Sequence, residues 1–217
     1  MHPAAIYRSL PPLVLASASP RRAQLLTEMG LAFEICRSTV DEQEIFRNAP
    51  PHSHEEGVLR VANAKREDVC LNLADLRPTL ADTMILAADT AVFLGEQRLD
   101  KPKDYHQARE TLTRLAGHTH SVISAISLSY NDLVLTAVDT TRVTFAPHLV
   151  AETEHYLQTA LPLDKAGAYG IQEWIGLVGI ERIEGSYTTV MGLPTHLLHR
   201  FLLQILVMHQ AREGCGG

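Results

Sequence analysis

Leu15-Ala16-Ser17-Ala18-Ser19-Pro20-Arg21-Arg22 is the stretch around which the rest of the chain is organised. The apolar run Leu13 to Leu15 predicts a short buried strand. Small residues follow, then a helix start, with Ser19 at the N-cap, Pro20 at the first helical position and Gly30 just past the end. The expected helix body is Arg21 to Met29. A strand that feeds a small-residue loop into a helix N-terminus presents outward-pointing backbone N–H groups, an arrangement suited to anions. Arg21 and Arg22 break the local rule, because cations are disfavoured in the first turn by about 0.3–1 kcal/mol each. A bound polyanion such as a phosphate chain would compensate. Two arginines snorkelling to water and pairing with surface acids would do so equally well, and the spacing alone leaves the two readings level.

The 217 residues fit one domain, or one domain with two lobes. We expect a loose lead-in over residues 1–12, a single domain over 13–212 and a frayed tail over 213–217. A hydrophobic share of 46% and a charged share of 20% are ordinary for a soluble globular protein. The net charge of −6 argues against a nucleic-acid coat or an anionic-membrane binder. Cys36, Cys70 and Cys215 are odd in number and form no CxxC pair, so they read as reduced thiols. The Ala-Ser-Ala ending of the first apolar run imitates a signal-cleavage site, but its core is short and interrupted by Pro11 and Pro12. No stretch approaches the roughly 20 apolar residues of a membrane span. The expectation is a soluble, cytoplasmic protein.

Outward from the opening stretch, Phe33 to Val40 reads as a second strand ending in Asp41-Glu42-Gln43-Glu44, a cluster that composition alone makes a solvated turn. Residues 45–53 read as a loop. A long helix is expected over about Glu55 to Leu73, with Val58, Leu59, Ala62, Val69 and Leu73 on one face. Lys65 borders that face and Arg66 lies on the opposite flank; periodicity does not choose between them as a ligand group. Met84 to Ala88 predicts a buried strand running into Asp89-Thr90, which puts an acid at a strand end, where open α/β sheets place ligands. An Asp that caps a turn fits the same residues. Gly95 to Arg98 reads as a turn, and Lys101 is fixed ahead of Pro102.

Asp104 and Gln107 open a helix over Tyr105 to Ala116, closed by Gly117. His118 and His120 read as alternate strand residues on one polar face, lacking the further ligand a metal site needs. Ser121 to Ser129 and Leu133 to Phe145 read as a hairpin joined at Asn131-Asp132. His148 to Ala160 is an amphipathic helix with Leu149, Val150 and Leu157 inward. The loop Asp164-Lys165-Ala166-Gly167-Ala168-Tyr169-Gly170-Ile171-Gln172 has glycines that permit close approach or positive φ. Leu177 to Ile183 reads as a strand, Glu184 to Tyr187 as a turn and Thr195 to Gln210 as the last helix.

Four blocks of this sequence resemble the Maf family of nucleoside triphosphate pyrophosphatases, first named as septum-formation inhibitors. They are LASASPRRAQLL from Leu15, KPKDYHQARETLTRLAGHTH from Lys101, DKAGAYGIQ from Asp164, and IEGSY from Ile183 with VMGLP from Val190. They fall in family order and at family spacing. Glu173-Trp174 departs from the pattern, since many relatives have a glycine there.

The resemblance implies an α/β fold: a long curved mixed β-sheet flanked by helices, in two lobes around a cleft, shared with the inosine triphosphate pyrophosphatases. It implies hydrolysis of a nucleoside triphosphate to the monophosphate and pyrophosphate with a divalent cation, Mg²⁺ or alternatively Mn²⁺ or Co²⁺. It further implies a homodimer. Matched residue by residue, it makes Asp89, Lys101 and Lys65 catalytic. Ser17, Arg21, Arg22, Thr90, Asp164, Lys165 and Gln172 become substrate-binding, and Glu42 and Asp89 metal ligands. The DKAGAYGIQ loop belongs to the members that take dTTP and UTP. The alternatives are 7-methyl-GTP as substrate, or a septum-formation regulator that binds nucleotide without cutting it.

Overall fold

The computed structural model describes residues 6–50, 53–76 and 82–215. In chain order the elements are β1 (Leu13–Leu15), α1 (Pro20–Glu28), β2 (Glu34–Ile35), α2 (Glu42–Arg47), α3 (His54–Leu76), β3 (Met84–Leu94) and β4 (Gln97–Leu99). Then follow α4 (Tyr105–Leu115), β5 (Thr119–Tyr130), β6 (Leu133–Phe145), α5 (Leu149–Thr159), a 3₁₀ turn (Ala166–Ala168), α6 (Trp174–Gly179), β7 (Ile180–Glu184), α7 (Tyr187–Met191) and α8 (Thr195–Cys215). The strands make one seven-stranded mixed sheet in the order β2-β1-β3-β5-β6-β7, with β4 paired to β3. The expected class, an α/β fold with a mixed sheet flanked by helices, is what the chain adopts. The chain divides into two compact units, residues 1–89, 125–138 and 192–217 in one and residues 90–124 and 139–191 in the other.

In the first unit β1 pairs in parallel with both β2 and β3, Leu15 opposite Leu86. Val14 and Ala16 of this strand region, and Ile85 and Ala87 of β3, pack against Val69 and Leu73 of α3 in one cluster. Because side chains alternate along a strand, Asp89 continues the Ile85–Ala87 row. Lys65 continues the Val69–Leu73 row one turn earlier. The packing that builds this core therefore brings Lys65 to Asp89.

In the second unit β4 returns antiparallel along β3, and β7 lies antiparallel to β6 with Val143 opposite Ile183. β5 and β6 are neighbours joined through Asn131-Asp132 of the first unit, as expected, with Asn131 at φ 51°.

Several boundaries differ from the sequence reading. The second strand is only Glu34–Ile35. The acidic cluster is not a turn but helix α2, because the Asp41 carboxylate accepts from the backbone N–H of Gln43 and Glu44, both 3.0 Å away. β3 runs on to Leu94, since Thr90-Ala91-Val92-Phe93 suits a strand; Asp89 thus lies inside a strand, not at its end. Gly95 to Arg98 is not a turn throughout, as Gln97 and Arg98 already belong to β4. The predicted strand from Leu177 is helix α6, and β7 begins only at Ile180. Val150 faces solvent. His118 precedes β5, so it does not share a strand face with His120. Cys36 and Cys70 are free thiols; the side chain of Cys215 is outside the described residues. Among the described residues no helix is long and apolar enough to cross a membrane.

Candidate active site

In the first unit a buried lysine bridges two acids. Lys65 Nζ lies 2.8 Å from Asp89 Oδ1 and 2.7 Å from Glu42 Oε1. Lys65 and Asp89 are buried, whereas Glu42 on α2 is half exposed. Arg66, the other cation considered on α3, turns away: its Nε donates to Ser127 Oγ at 2.8 Å and Nη2 pairs with Glu67. α2 is held to α3 by Phe46, whose ring lies where a Cβ on Gly57 would sit, 2.5 Å from Cε2.

The two arginines of α1 separate. Arg22 falls three and four residues before Leu25 and Leu26, on the buried face of the helix, and is itself buried. It does not snorkel. Its Nε donates to the Gly192 carbonyl at 2.8 Å and Nη1 to Ser17 Oγ at 3.0 Å. Burial pushes its pKa down, Asp89 and Glu42 pull it back up, and Arg21 adds repulsion. Arg21 is half-buried. Ser17 Oγ also accepts from the Ser19 N–H at 3.2 Å. With two donors on its oxygen, the Ser17 hydroxyl keeps its proton for a further acceptor. The Ser19 side chain makes no capping bond, so α1 begins with donors uncapped by its own N-cap.

The second unit holds the other predicted residues. Thr90 Oγ1 is 2.8 Å from Ser124 Oγ. Lys101 is exposed on the segment between β4 and α4. In the Asp164–Gln172 loop Gly167 has φ 72° and Ala168 φ 59°, so one non-glycine residue takes the left-handed conformation. A Cβ on Gly167 would lie 3.0 Å from Val92 Cγ1, so the loop also approaches β3 closely. Lys165 Nζ pairs with Asp164 Oδ1 at 2.8 Å and Glu173 Oε1 at 3.1 Å. The buried Tyr156 hydroxyl accepts from the Gly170 N–H at 3.3 Å and donates to Glu173 Oε2. Burial, then Glu173, raise its pKa far above the usual phenol range. Gln172 Oε1 is buried and meets no donor among the described residues. Sequence reasoning noted Glu173 only as a departure and missed Tyr156; its signal was a tyrosine on the inward face of α5.

The donor set suits a hard divalent cation in part. Two carboxylate oxygens stand within 2.8 Å of one ammonium nitrogen, so a small cation could take that position. Among the described residues no third His, Cys, Asp or Glu joins them. Glu42 and Asp89 would hold such an ion, with phosphate oxygens and water supplying its remaining ligands.

Fold and side chains define the class: an α/β protein with a mixed sheet, carrying an acid–lysine–acid chain beside a serine–arginine pair at a helix start. The chain belongs to the Maf-like protein family, which matches residues 12–205. A protein of Halalkalibacterium halodurans is 40% identical over 183 residues, 84% of this chain and 90% of its own. One from Christiangramia forsetii is 35% identical, covering 89% and 94%, and one from Escherichia coli O157:H7 is 36% identical, covering 93% and 96%. All three are named dTTP/UTP pyrophosphatase. The solved Staphylococcus aureus Ham1 protein aligns over 63% of this chain and 72% of its own, at 13% identity and a TM-score of 0.36.

Proposed function

We propose that this chain is a divalent-metal-dependent nucleoside triphosphate pyrophosphatase that hydrolyses dTTP and UTP to the monophosphate and pyrophosphate. The observation that carries this is the buried Asp89–Lys65 pair, extended by the half-exposed Glu42, beside Ser17 and Arg22. The names and coverage of the relatives support it.

A triphosphate brings about four negative charges, which need several cations. Arg21, Lys65 and Lys101 supply charge to the phosphates, and the Ser17 O–H donates to a phosphate oxygen. Arg22 holds Ser17 in place through Oγ. A divalent ion held by Glu42 and Asp89 would neutralise phosphate charge and lower the pKa of nearby water. Asp89 takes the proton of a water that attacks the α-phosphorus. The new P–O bond forms as the bridge to the β-phosphorus breaks, and pyrophosphate leaves. Developing charge on the α-phosphoryl oxygens is met by Arg21, Lys65 and Lys101.

Thr90, Asp164, Lys165 and Gln172 serve the nucleoside. The unpartnered Gln172 Oε1 supports this, since a buried acceptor without a donor costs about 1–3 kcal/mol unless a ligand supplies one. The amide offers both donor and acceptor, which suits a uracil or thymine edge. The protein is further read as a cytoplasmic homodimer.

A nucleotide panel with released pyrophosphate measured under metal titration tests the assignment. Fastest turnover of 7-methyl-GTP would reject the base choice, and orthophosphate as product would reject the reaction. Binding without turnover under every divalent cation would favour a regulator. Asp89→Asn should retain the fold and lose nearly all turnover; an active variant removes Asp89 from the mechanism.

A further inference from the structure

Ser124 lies wholly buried on β5 in the second unit. Its hydroxyl has a single hydrogen, and Oγ donates it to the Thr189 carbonyl at 2.7 Å. A carbonyl can only accept. The 2.8 Å contact between Ser124 Oγ and Thr90 Oγ1 therefore has one polarity: Thr90 donates and Ser124 accepts. Thr189 is itself fixed, because its own hydroxyl donates to Asp139 Oδ2. The chain Thr90–Ser124–Thr189 thus points its protons one way and ends on a backbone oxygen. Toward any other group, Thr90 Oγ1 offers lone pairs only.

We propose that Ser124 is a positioning residue that makes Thr90 an obligatory acceptor for a hydrogen-bond donor on the substrate. This rests on reading Thr90 as a substrate contact. Two donors of a pyrimidine nucleotide fit: the ring N–H between the two carbonyls of uracil or thymine, and a sugar hydroxyl. Gln172 Oε1 in the same unit is buried and meets no donor among the described residues. Cytosine carries a lone pair where uracil carries the N–H, so it would set acceptor against acceptor.

The test compares kcat/KM for UTP against CTP and for dTTP against its 2′,3′-dideoxy analogue. Ser124→Ala frees the Thr90 hydroxyl to turn and donate. It should reduce one of the two preferences about five- to tenfold, the worth of one hydrogen bond. A reduced UTP:CTP ratio identifies the ring N–H as the donor; a reduced dTTP:dideoxy ratio identifies the sugar hydroxyl. Thr90→Val keeps the Ser124–Thr189 bond and should reduce the same ratio, and the double variant should match Thr90→Val alone. Both ratios unchanged in Ser124→Ala, or additive losses in the double variant, overturn the proposal. A wild-type protein that cuts no pyrimidine triphosphate defeats the parent reading instead.

Discussion

Replacing Lys65 with Met keeps an apolar stem along α3 and removes the ammonium from between Asp89 and Glu42. The two acids are not equally affected. Glu42 is 40% exposed at its side chain and can turn to water, so its pairing contributes at most about 1 kcal/mol. Asp89 is 4% exposed, and its carboxylate loses the countercharge at 2.8 Å. Leaving one buried partner uncompensated costs about 3–5 kcal/mol, and the remaining Arg22 charge puts Asp89 at the lower end of that range. For a chain of this length each kcal/mol lowers Tm by about 2–4 °C, so the loss should be on the order of 10 °C. Thermal unfolding followed by circular dichroism in chelator, at neutral pH, measures it. Adding Asp89→Asn should restore most of the loss, because the neutral amide no longer needs a cation. A Tm within about 2 °C of wild type, or a double variant less stable than Lys65→Met, would refute the view that Lys65 neutralises Asp89.

Tyr156→Phe should destabilise by about 1–3 kcal/mol, since it strips the acceptor from the Gly170 N–H and the donor from Glu173; chemical denaturation reads this, and KM should rise with the loosened loop. His120 is buried against Phe145 and Tyr169, and burial pushes its pKa down to about 3. The unfolded chain then binds more protons between about pH 6.5 and 3, so stability falls as pH drops through that window. The loss is about 2 kcal/mol from pH 7 to 5, and His120→Phe should flatten that part of the stability–pH curve. Gly176→Ala would set a Cβ 1.9 Å from the Ile171 carbonyl oxygen, a backbone atom that cannot swing aside; the soluble yield and Tm of the variant should fall sharply.

The opening stretch was legible because its signals are local: an apolar run, a Pro at N1 and a terminal Gly30, which sits at φ 79°. The Lys65–Asp89 pairing was not read, although both rows that create it are in the sequence, because it needs the register of α3 against β3. The same holds for Arg22, whose spacing from Leu25 and Leu26 puts it inward while Arg21 is only half-buried. α2 is not legible because six residues carry too little periodicity, and Asp41 at its cap suits a turn equally well. β5 is buried along nearly its whole length, so its apolar and serine residues show no clean alternation, and nothing in the sequence singles out Ser124.

Glu42 reaches Lys65 from a helix of only six residues, and the rim of Phe46 rests on the bare α-carbon of Gly57. The address of an acidic side chain is therefore written partly by a hydrogen atom on a separate helix. One added methyl at position 57 would displace that ring and loosen the platform from which the carboxylate is presented.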